Sequence, residues 1–218
     1  MIKAVFIDFY GTIVHEDGAV ISKITQEISE NGNESDKSKI GSFWWNEFQN
    51  MFINPYNDTF KTQRELEYES LVRTIKQFGS SSDAEVLSEM MFDHWRNPPI
   101  FAESKEFFKK CPLPIYIVSN IDRCDITEAV SFHGLNPDGI FTSEDARSYK
   151  PRAELFQLAL SETGMNPHET VHIGDSLSSD IKGASALGIN TIWLNRSGRQ
   201  VPDGITAADD LLDVFKRL

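Results

Sequence analysis

The stretch Phe6–Val14, FIDFYGTIV, places a carboxylate where an apolar run ends, with a tyrosine two residues later and then a Gly-Thr step. Three further stretches carry groups suited to the same chemistry. They are Ser119 and Asn120 closing IYIVSN, Lys150 before Pro151, and Asp175 with Asp180 five residues on in GDSLSSD. A carboxylate is already ionised at neutral pH, so Asp8 can attack an electrophile without a base and form a covalent intermediate that water later resolves. Asp8 and Asp175 in one crevice would repel each other unless a cation lay between them, and so sparse a set of hard oxygen ligands suits Mg²⁺ with several waters retained. Lys150 would offset the remaining negative charge and hold the nucleophile. Thr12, Ser119 and Asn120 are the candidate substrate contacts, with backbone N–H groups gripping the substrate's oxygens. Pro151 disfavours helical backbone at the residue before it, which predicts an extended Lys150 at a helix entrance, able to reach into the crevice.

These groups converge only if the elements that carry them end on one edge. Short β-branched and aromatic runs bounded by turn residues predict buried parallel strands at Ala4–Phe9, Ile115–Asn120, Gly139–Ser143, Thr170–Asp175 and Asn190–Asn195. Helical patterns lie between the later ones: Asp125 to His133, from Arg152 to Gly164 with Pro151 as the first helical residue, and SSDIKGASALG to Gly188. Strand alternating with helix implies right-handed crossovers and a doubly wound, Rossmann-like α/β sheet, with every candidate group at the carboxyl edge of its strand. Residues 15–99 differ in kind. Apolar residues recur there at helical spacing (Ile21, Ile24, Ile28; Phe43, Trp44, Phe48, Phe52; Leu66, Leu71, Val72, Ile75; Val86, Leu87, Met90, Met91), broken by ENGNESDKS, INPYND and FGSSSD. Four helices without a strand are expected: an all-helical cap inserted between a core made of residues 1–14 and 100–218, beside the strand ends where open α/β sheets bind ligands. Trp44 and Trp45 are adjacent and must face different ways on a helix.

The 218 residues, 40% hydrophobic, can bury a sizeable core. Thirty-three acidic against 21 basic residues give a net charge of −12, which disfavours nucleic acid and anionic membrane as partners; net charge does not describe a pocket, so a small anionic metabolite stays open as the substrate partner. Asp8 interrupts the N-terminal apolar run before a signal-peptide core forms, and no run is long enough to span a membrane. With only Cys111 and Cys124, the expectation is a soluble, cytoplasmic protein with reduced, buried or half-buried thiols.

The blocks DFYGT, IVSN, YKP and HIGDSLSSD, in this order and on these elements, resemble those of the haloacid dehalogenase-like hydrolase superfamily. FHGLNPDGIFTSEDARSYKP and DIKGASALGI also read like members with a helical cap in this position. The resemblance covers the core on both sides of the insert, while the insert matches only by place and helical character. It implies Asp8 as nucleophile and metal ligand, the Tyr10 carbonyl as a second metal ligand, Ser119 on the transferred group, and Lys150 orienting Asp8. It also implies Asp175 as a Mg²⁺ ligand, with Asp180 supporting the site from behind. Tyr10 departs from the phosphatases of that superfamily, which are similar in carrying a second aspartate there to protonate the leaving alkoxide and then activate water. A phenol of pKa roughly 10 is a poor general base near neutrality. The dehalogenase branch resembles this first block, because it too carries a tyrosine, and a halide leaves as a stable anion needing no proton. That branch looks metal-free, however, with serine and asparagine where this chain has Gly174, Asp175 and Ser176.

The fourth block weighs more, since a second carboxylate beside Asp8 hinders a metal-free attack. The sequence therefore predicts a Mg²⁺-dependent phosphatase, with a metal-independent 2-haloacid dehalogenase and a catalytically weakened ligand-binding protein as alternatives. Each residue alone has a plainer reading: Asp8 as a turn cap, Ser119 and Asn120 as turn stabilisers, Lys150 as a solvated lysine, Asp180 as a helix cap, Tyr10 as packing. His172 reads as a hydrogen-bonded core histidine, and Arg64 and Arg96 as surface charge.

Overall fold

The computed structural model describes residues 1–53 and 57–218; of the expected INPYND break, positions 54–56 lie outside the described residues. By internal contact the chain forms two compact units, Met1–Glu16 with Pro99–Asn120 and Val130–Leu218, and Asp17–Pro98 with Ile121–Ala129.

In the first unit, strands β1 (Ala4–Ile7), β2 (Ile115–Ser119), β3 (Gly139–Thr142), β4 (Thr170–Gly174), β5 (Asn190–Leu194) and β6 (Ala207–Ala208) form one sheet in the order β3-β2-β1-β4-β5-β6. Every pairing is parallel. All four residues of β1 are buried without alternation, as expected for a parallel strand covered on both faces. Phe6 packs in a core with Val118, Leu155, Phe156, Ala159, Ala184 and Ile189. Ile7 is level with Ile117 on one side and Ile173 on the other, so the chain leaves β1 at the point where strand order reverses.

Each predicted strand ends one or two residues early, and the first residue beyond each ladder is polar: Asp8, Asn120, Ser143, Asp175 and Asn195. The helix predicted from Arg152 spans Ala153–Thr163; Pro151 sits in a turn before it, and Arg152 is its extended N-cap. The segment after β4 winds as a π turn, Leu177–Lys182, before a short helical stretch at Gly183–Ser185. The sequence patterns gave no sign of β6 or of the helix Ser104–Lys110.

The second unit contains α1 (Gly18–Glu30), α2 (Lys37–Ile53), α3 (Gln63–Gln77) and α4 (Ala84–Arg96). Ile24, Ile28, Ile40, Trp44, Leu66, Leu71, Leu87, Met91 and Trp95 fill its core. Trp44 is buried and its indole N–H donates to Ser70 Oγ at 3.0 Å, whereas Trp45 is exposed and stacks on Phe48. Ile121–Ala129 belongs to this unit through its acids. The Asp122 carboxylate accepts from the backbone N–H groups of Gln63 and Arg64 at the start of α3, and buried Asp125 takes a two-point bond from the Arg64 guanidinium. Arg96 pairs with Glu89 and Asp93. Cys111 is half-buried and Cys124 exposed, and both are free, so Cys124 departs from the expected burial. No helix among the described residues is long and apolar enough to cross a membrane.

The buried stripe of α3 is partly polar, while Val72 and Val86 face outward. Glu67, 4% exposed, leaves Oε1 without a hydrogen-bond partner, and burial, with the nearby Asp17 charge, pushes its carboxyl up to about 8. The unfolded chain releases this proton near pH 4.5, but the folded chain keeps it to about pH 8. Stability attributable to Glu67 must therefore fall as pH rises through that window, by up to about 1.4 kcal/mol per pH unit. Glu67→Gln is expected to flatten that part of the profile in denaturant melts between pH 5 and 8; parallel profiles for the two proteins would contradict it.

Candidate active site

Four strand ends of the first unit supply the site. β1 delivers Asp8, whose backbone N–H still donates to the Ile173 carbonyl at 2.9 Å, so the residue is fixed beside β4 although the strand has ended. The chain then turns sharply: the N–H groups of Thr12, Ile13 and Val14 all donate to the Phe9 carbonyl, and that of Gly11 to Val14. Gly11 has φ +81°, and a Cβ there would lie 2.7 Å from the Asp175 carboxylate, so glycine is required for both backbone and space. Gly174 is required for space alone, since a Cβ would overlap the Asp180 carboxyl. The π turn returns Asp180 beneath Gly174, and Ser176 caps that turn by accepting from the Ser179 N–H.

Lys150, 1% exposed, is the centre of the arrangement. Its Nζ lies 3.0 Å from Asp8 Oδ1 and 2.6 Å from Asp180 Oδ1, and donates to the Val118 carbonyl at 2.9 Å. It stands before the helix in the turn closed by the Arg152 N–H on the Tyr149 carbonyl, and the Lys150–Pro151 peptide is cis. Its backbone is held by the Asn120 carboxamide: Asn120 Oδ1 accepts from the Lys150 N–H at 2.8 Å, and Asn120 Nδ2 donates to the Lys150 carbonyl at 3.1 Å. Asn120 therefore positions the lysine. Ser119 is buried beside the Asp8 carboxylate, and its hydroxyl favours the charged form of that acid. Thr12, expected on the substrate, is fully buried and donates its hydroxyl to Asp175 Oδ1 at 3.0 Å. Tyr10 is half-buried, forms a β-bridge with Val14, and packs edge-on to Phe9 at 5.1 Å.

Three further residues brace this site: His172, read from the sequence as a hydrogen-bonded core histidine, and Trp193 and Arg196, to which sequence reasoning gave no role. His172, fully buried, places Nε2 2.9 Å from Asp180 Oδ1. The Trp193 indole donates to the Asp175 carbonyl at 2.8 Å. Arg196 donates to the Thr12 carbonyl at 2.7 Å. His172 was the most accessible of them, as the one ionisable residue within a buried strand that ends in the fourth block.

The electrostatics follow from three carboxylates around one ammonium. Burial pushes Asp8 up, against the pull of Lys150. Burial also opposes ionisation of Asp180, but Lys150 and His172 outweigh it and hold that carboxyl well below the usual range. The same two acids raise Lys150 despite its burial. Among the described residues no cation pairs with Asp175: burial first, then Asp8, Asp180 and Glu16, push it up to about 7, against the Thr12 hydroxyl.

Oxygens of Asp8, Asp175 and Asp180 lie within 4.8 Å of one another, the sole such cluster among the described residues. Asp180 already engages Lys150 and His172 through Oδ1 and the Ser176 N–H through Oδ2, which leaves Asp8 and Asp175 as the carboxylate ligands for a cation. All-oxygen donors with an excess of negative charge fit Mg²⁺.

Comparison with known proteins agrees with this layout. The sequence pattern of haloacid dehalogenase-like hydrolases matches residues 2–188. The chain is 26% identical over 140 residues to a phosphoserine phosphatase of Thermus thermophilus, a match covering 61% of this chain and 55% of that protein. It is 24% identical over 232 residues to an (S)-2-haloacid dehalogenase of Pseudomonas sp. strain YL, covering 99% and 95%. Among solved structures, the HAD hydrolase YfnB of Bacillus subtilis, bound to magnesium, superposes with a TM-score of 0.79 at 20% identity, over 99% of this chain and 98% of that one. The chain spans about half the length of several curated relatives that it matches.

Proposed function

The chain belongs to the haloacid dehalogenase-like hydrolase family, and on that premise we propose that it is a Mg²⁺-dependent phosphatase of a small anionic metabolite in the cytoplasm. The observation that carries this reading is Asp175: a second, half-buried carboxylate lies beside the nucleophile, no cation among the described residues pairs with it, and it is pushed up to about 7. Beside a metal-free nucleophile such a group raises local negative charge and hinders attack, whereas beside Mg²⁺ it is a ligand.

When bound by Asp8 and Asp175, with the Tyr10 carbonyl as a further ligand, Mg²⁺ would neutralise charge on the transferring phosphoryl group. The chain's own residues do the rest. An Asp8 carboxylate oxygen attacks phosphorus; the Asp8–phosphorus bond forms as the bond to the leaving oxygen breaks. Lys150, charged and held by Asp180, keeps the nucleophile oriented, and Ser119 contacts the oxygens in transfer. Water then attacks phosphorus, releasing phosphate and restoring Asp8.

Tyr10 sets the limit of this site. Its phenol supplies the leaving alkoxide with no ready proton, so activity should favour substrates whose leaving group is already a stable anion. Tyr10→Asp supplies the missing acid and base, a contribution of about 10²- to 10⁴-fold where it is fully developed. The variant is expected to gain at least ~10-fold on alkyl phosphates with little change on p-nitrophenyl phosphate. A folded variant with no gain on alkyl phosphates would sink the reading.

The dehalogenase alternative has two observations of its own, Tyr10 itself and the nearly full-length similarity to the Pseudomonas enzyme. Halide release from 2-chloropropionate in EDTA is its signature.

A further inference from the structure

We infer that Arg196 is a positioning residue for the cation site, acting through Thr12 on Asp175; the inference rests on the Mg²⁺ reading above. Arg196 lies two residues beyond β5, on a loop fixed by reciprocal bonds between Asn195 and Arg199: Asn195 Nδ2 donates to the Arg199 carbonyl at 2.7 Å, and the Arg199 N–H donates to Asn195 Oδ1 at 3.0 Å. From there the Arg196 guanidinium has three partners. Nη2 donates to the Thr12 carbonyl at 2.7 Å, Nη1 pairs with Glu103 Oε1 at 2.6 Å, and the planar group lies 3.6 Å from the centroid of Phe101. Both charged partners are largely buried, 20% exposed for Arg196 and 16% for Glu103, which distinguishes the pair from a solvated surface bridge.

Thr12 is the link. Its carbonyl takes the arginine and its hydroxyl holds Asp175 Oδ1, while neighbouring Gly11 sits against the same carboxylate. The Phe101 and Glu103 segment is itself tied to the turn, since the Phe101 N–H and the Ser104 hydroxyl both donate to the Ile13 carbonyl. Two strand ends and the segment before Ser104 thus fix the backbone at the Thr12 and Ile13 carbonyls, and with it the Thr12 hydroxyl that holds Asp175 where it meets a cation. A planar fork suits this, because its two terminal nitrogens serve Thr12 and Glu103 separately while its flat face lies on Phe101, a face an ammonium lacks.

Partners behind a metal ligand commonly set affinity by 10- to 100-fold. Arg196→Met is therefore expected to weaken Mg²⁺ binding by about 10-fold in titration calorimetry without substrate, and Arg196→Lys is expected to restore little of it. Thr12→Val cuts the link, so in that background Arg196→Met should change Mg²⁺ affinity by less than about 2-fold, the coupling expected of groups acting in series. Denaturant melts run alongside establish that each variant is folded; should Arg196→Met fail to fold, Arg196→Lys carries the same comparison.

A folded Arg196 variant with wild-type Mg²⁺ affinity, or one whose effect adds in full to that of Thr12→Val, overturns the inference while leaving the phosphatase reading intact. A wild-type protein that binds no Mg²⁺ overturns both.

Discussion

Asp8→Asn is expected to lower turnover of p-nitrophenyl phosphate by about 10⁴-fold or more, the range seen when a covalent catalyst loses its nucleophile. The amide oxygen cannot form the acyl-phosphate intermediate, and no other carboxylate among the described residues is placed to substitute. Asp180 has both oxygens engaged, and Asp175 is held by Thr12. The fold should persist, because Lys150 keeps Asp180 at 2.6 Å and the Val118 carbonyl at 2.9 Å when the Asp8 charge is gone. Removing that charge also relieves Asp175, one of whose raising influences is Asp8. A folded Asp8→Asn protein that retained a tenth of the wild-type rate would exclude Asp8 as the nucleophile. Single-turnover kinetics, read alongside steady-state turnover, would separate lost attack from slowed release.

Lys150→Met should have the largest effect on stability. The ammonium is almost fully buried between two carboxylates, and breaking such an arrangement by deleting one sign costs about 3–5 kcal/mol, since the remaining charges stay buried and unpaired. The sign of the pH dependence follows from Asp180. Its depressed pKa contributes stability that is present above the ordinary carboxylate range and is lost as pH falls through the folded value. Without Lys150 that contribution disappears, so wild type and variant should differ most near pH 7.5 and by less toward pH 4, where the variant's Asp8 and Asp180, no longer facing an ammonium, take up protons while the wild-type Asp180 stays ionised. Adding Asp180→Asn should recover part of the loss, and the double-mutant cycle isolates the pair. Denaturant melts are the measurement; a Lys150→Met protein within 1 kcal/mol of wild type at pH 7.5 would contradict the account.

What could be read from the sequence was what periodicity and strand-end chemistry encode. β1, β2 and β4 showed themselves as continuous apolar runs because a parallel sheet buries both faces, and each run ended on the residue that enters the site. Asp8, Lys150, Asp175 and Asp180 were legible together for that reason. β6, two residues long, has no period to detect. The roles of Thr12 and Asn120 were out of reach, because the turn at Gly11 decides that the Thr12 hydroxyl meets an acid 163 positions away, and a turn's direction is not written in residue type alone. Arg196 was invisible for the same reason, since both its polar partners come from distant segments. In the helical unit, Glu67, Ser70 and Thr74 occupy the buried stripe of α3 where the apolar pattern alone would have put Val72.

The most direct test of the central claim is hydrolysis of p-nitrophenyl phosphate by the wild-type protein with Mg²⁺ and with EDTA, alongside halide release from 2-chloropropionate in EDTA. The leaving group of the first substrate barely needs the proton that Tyr10 does not readily give. Turnover that requires Mg²⁺, with no halide released, is the predicted result. Halide release in EDTA, with no Mg²⁺-dependent phosphate release from the folded protein, would contradict it and assign the site to carbon–halogen cleavage.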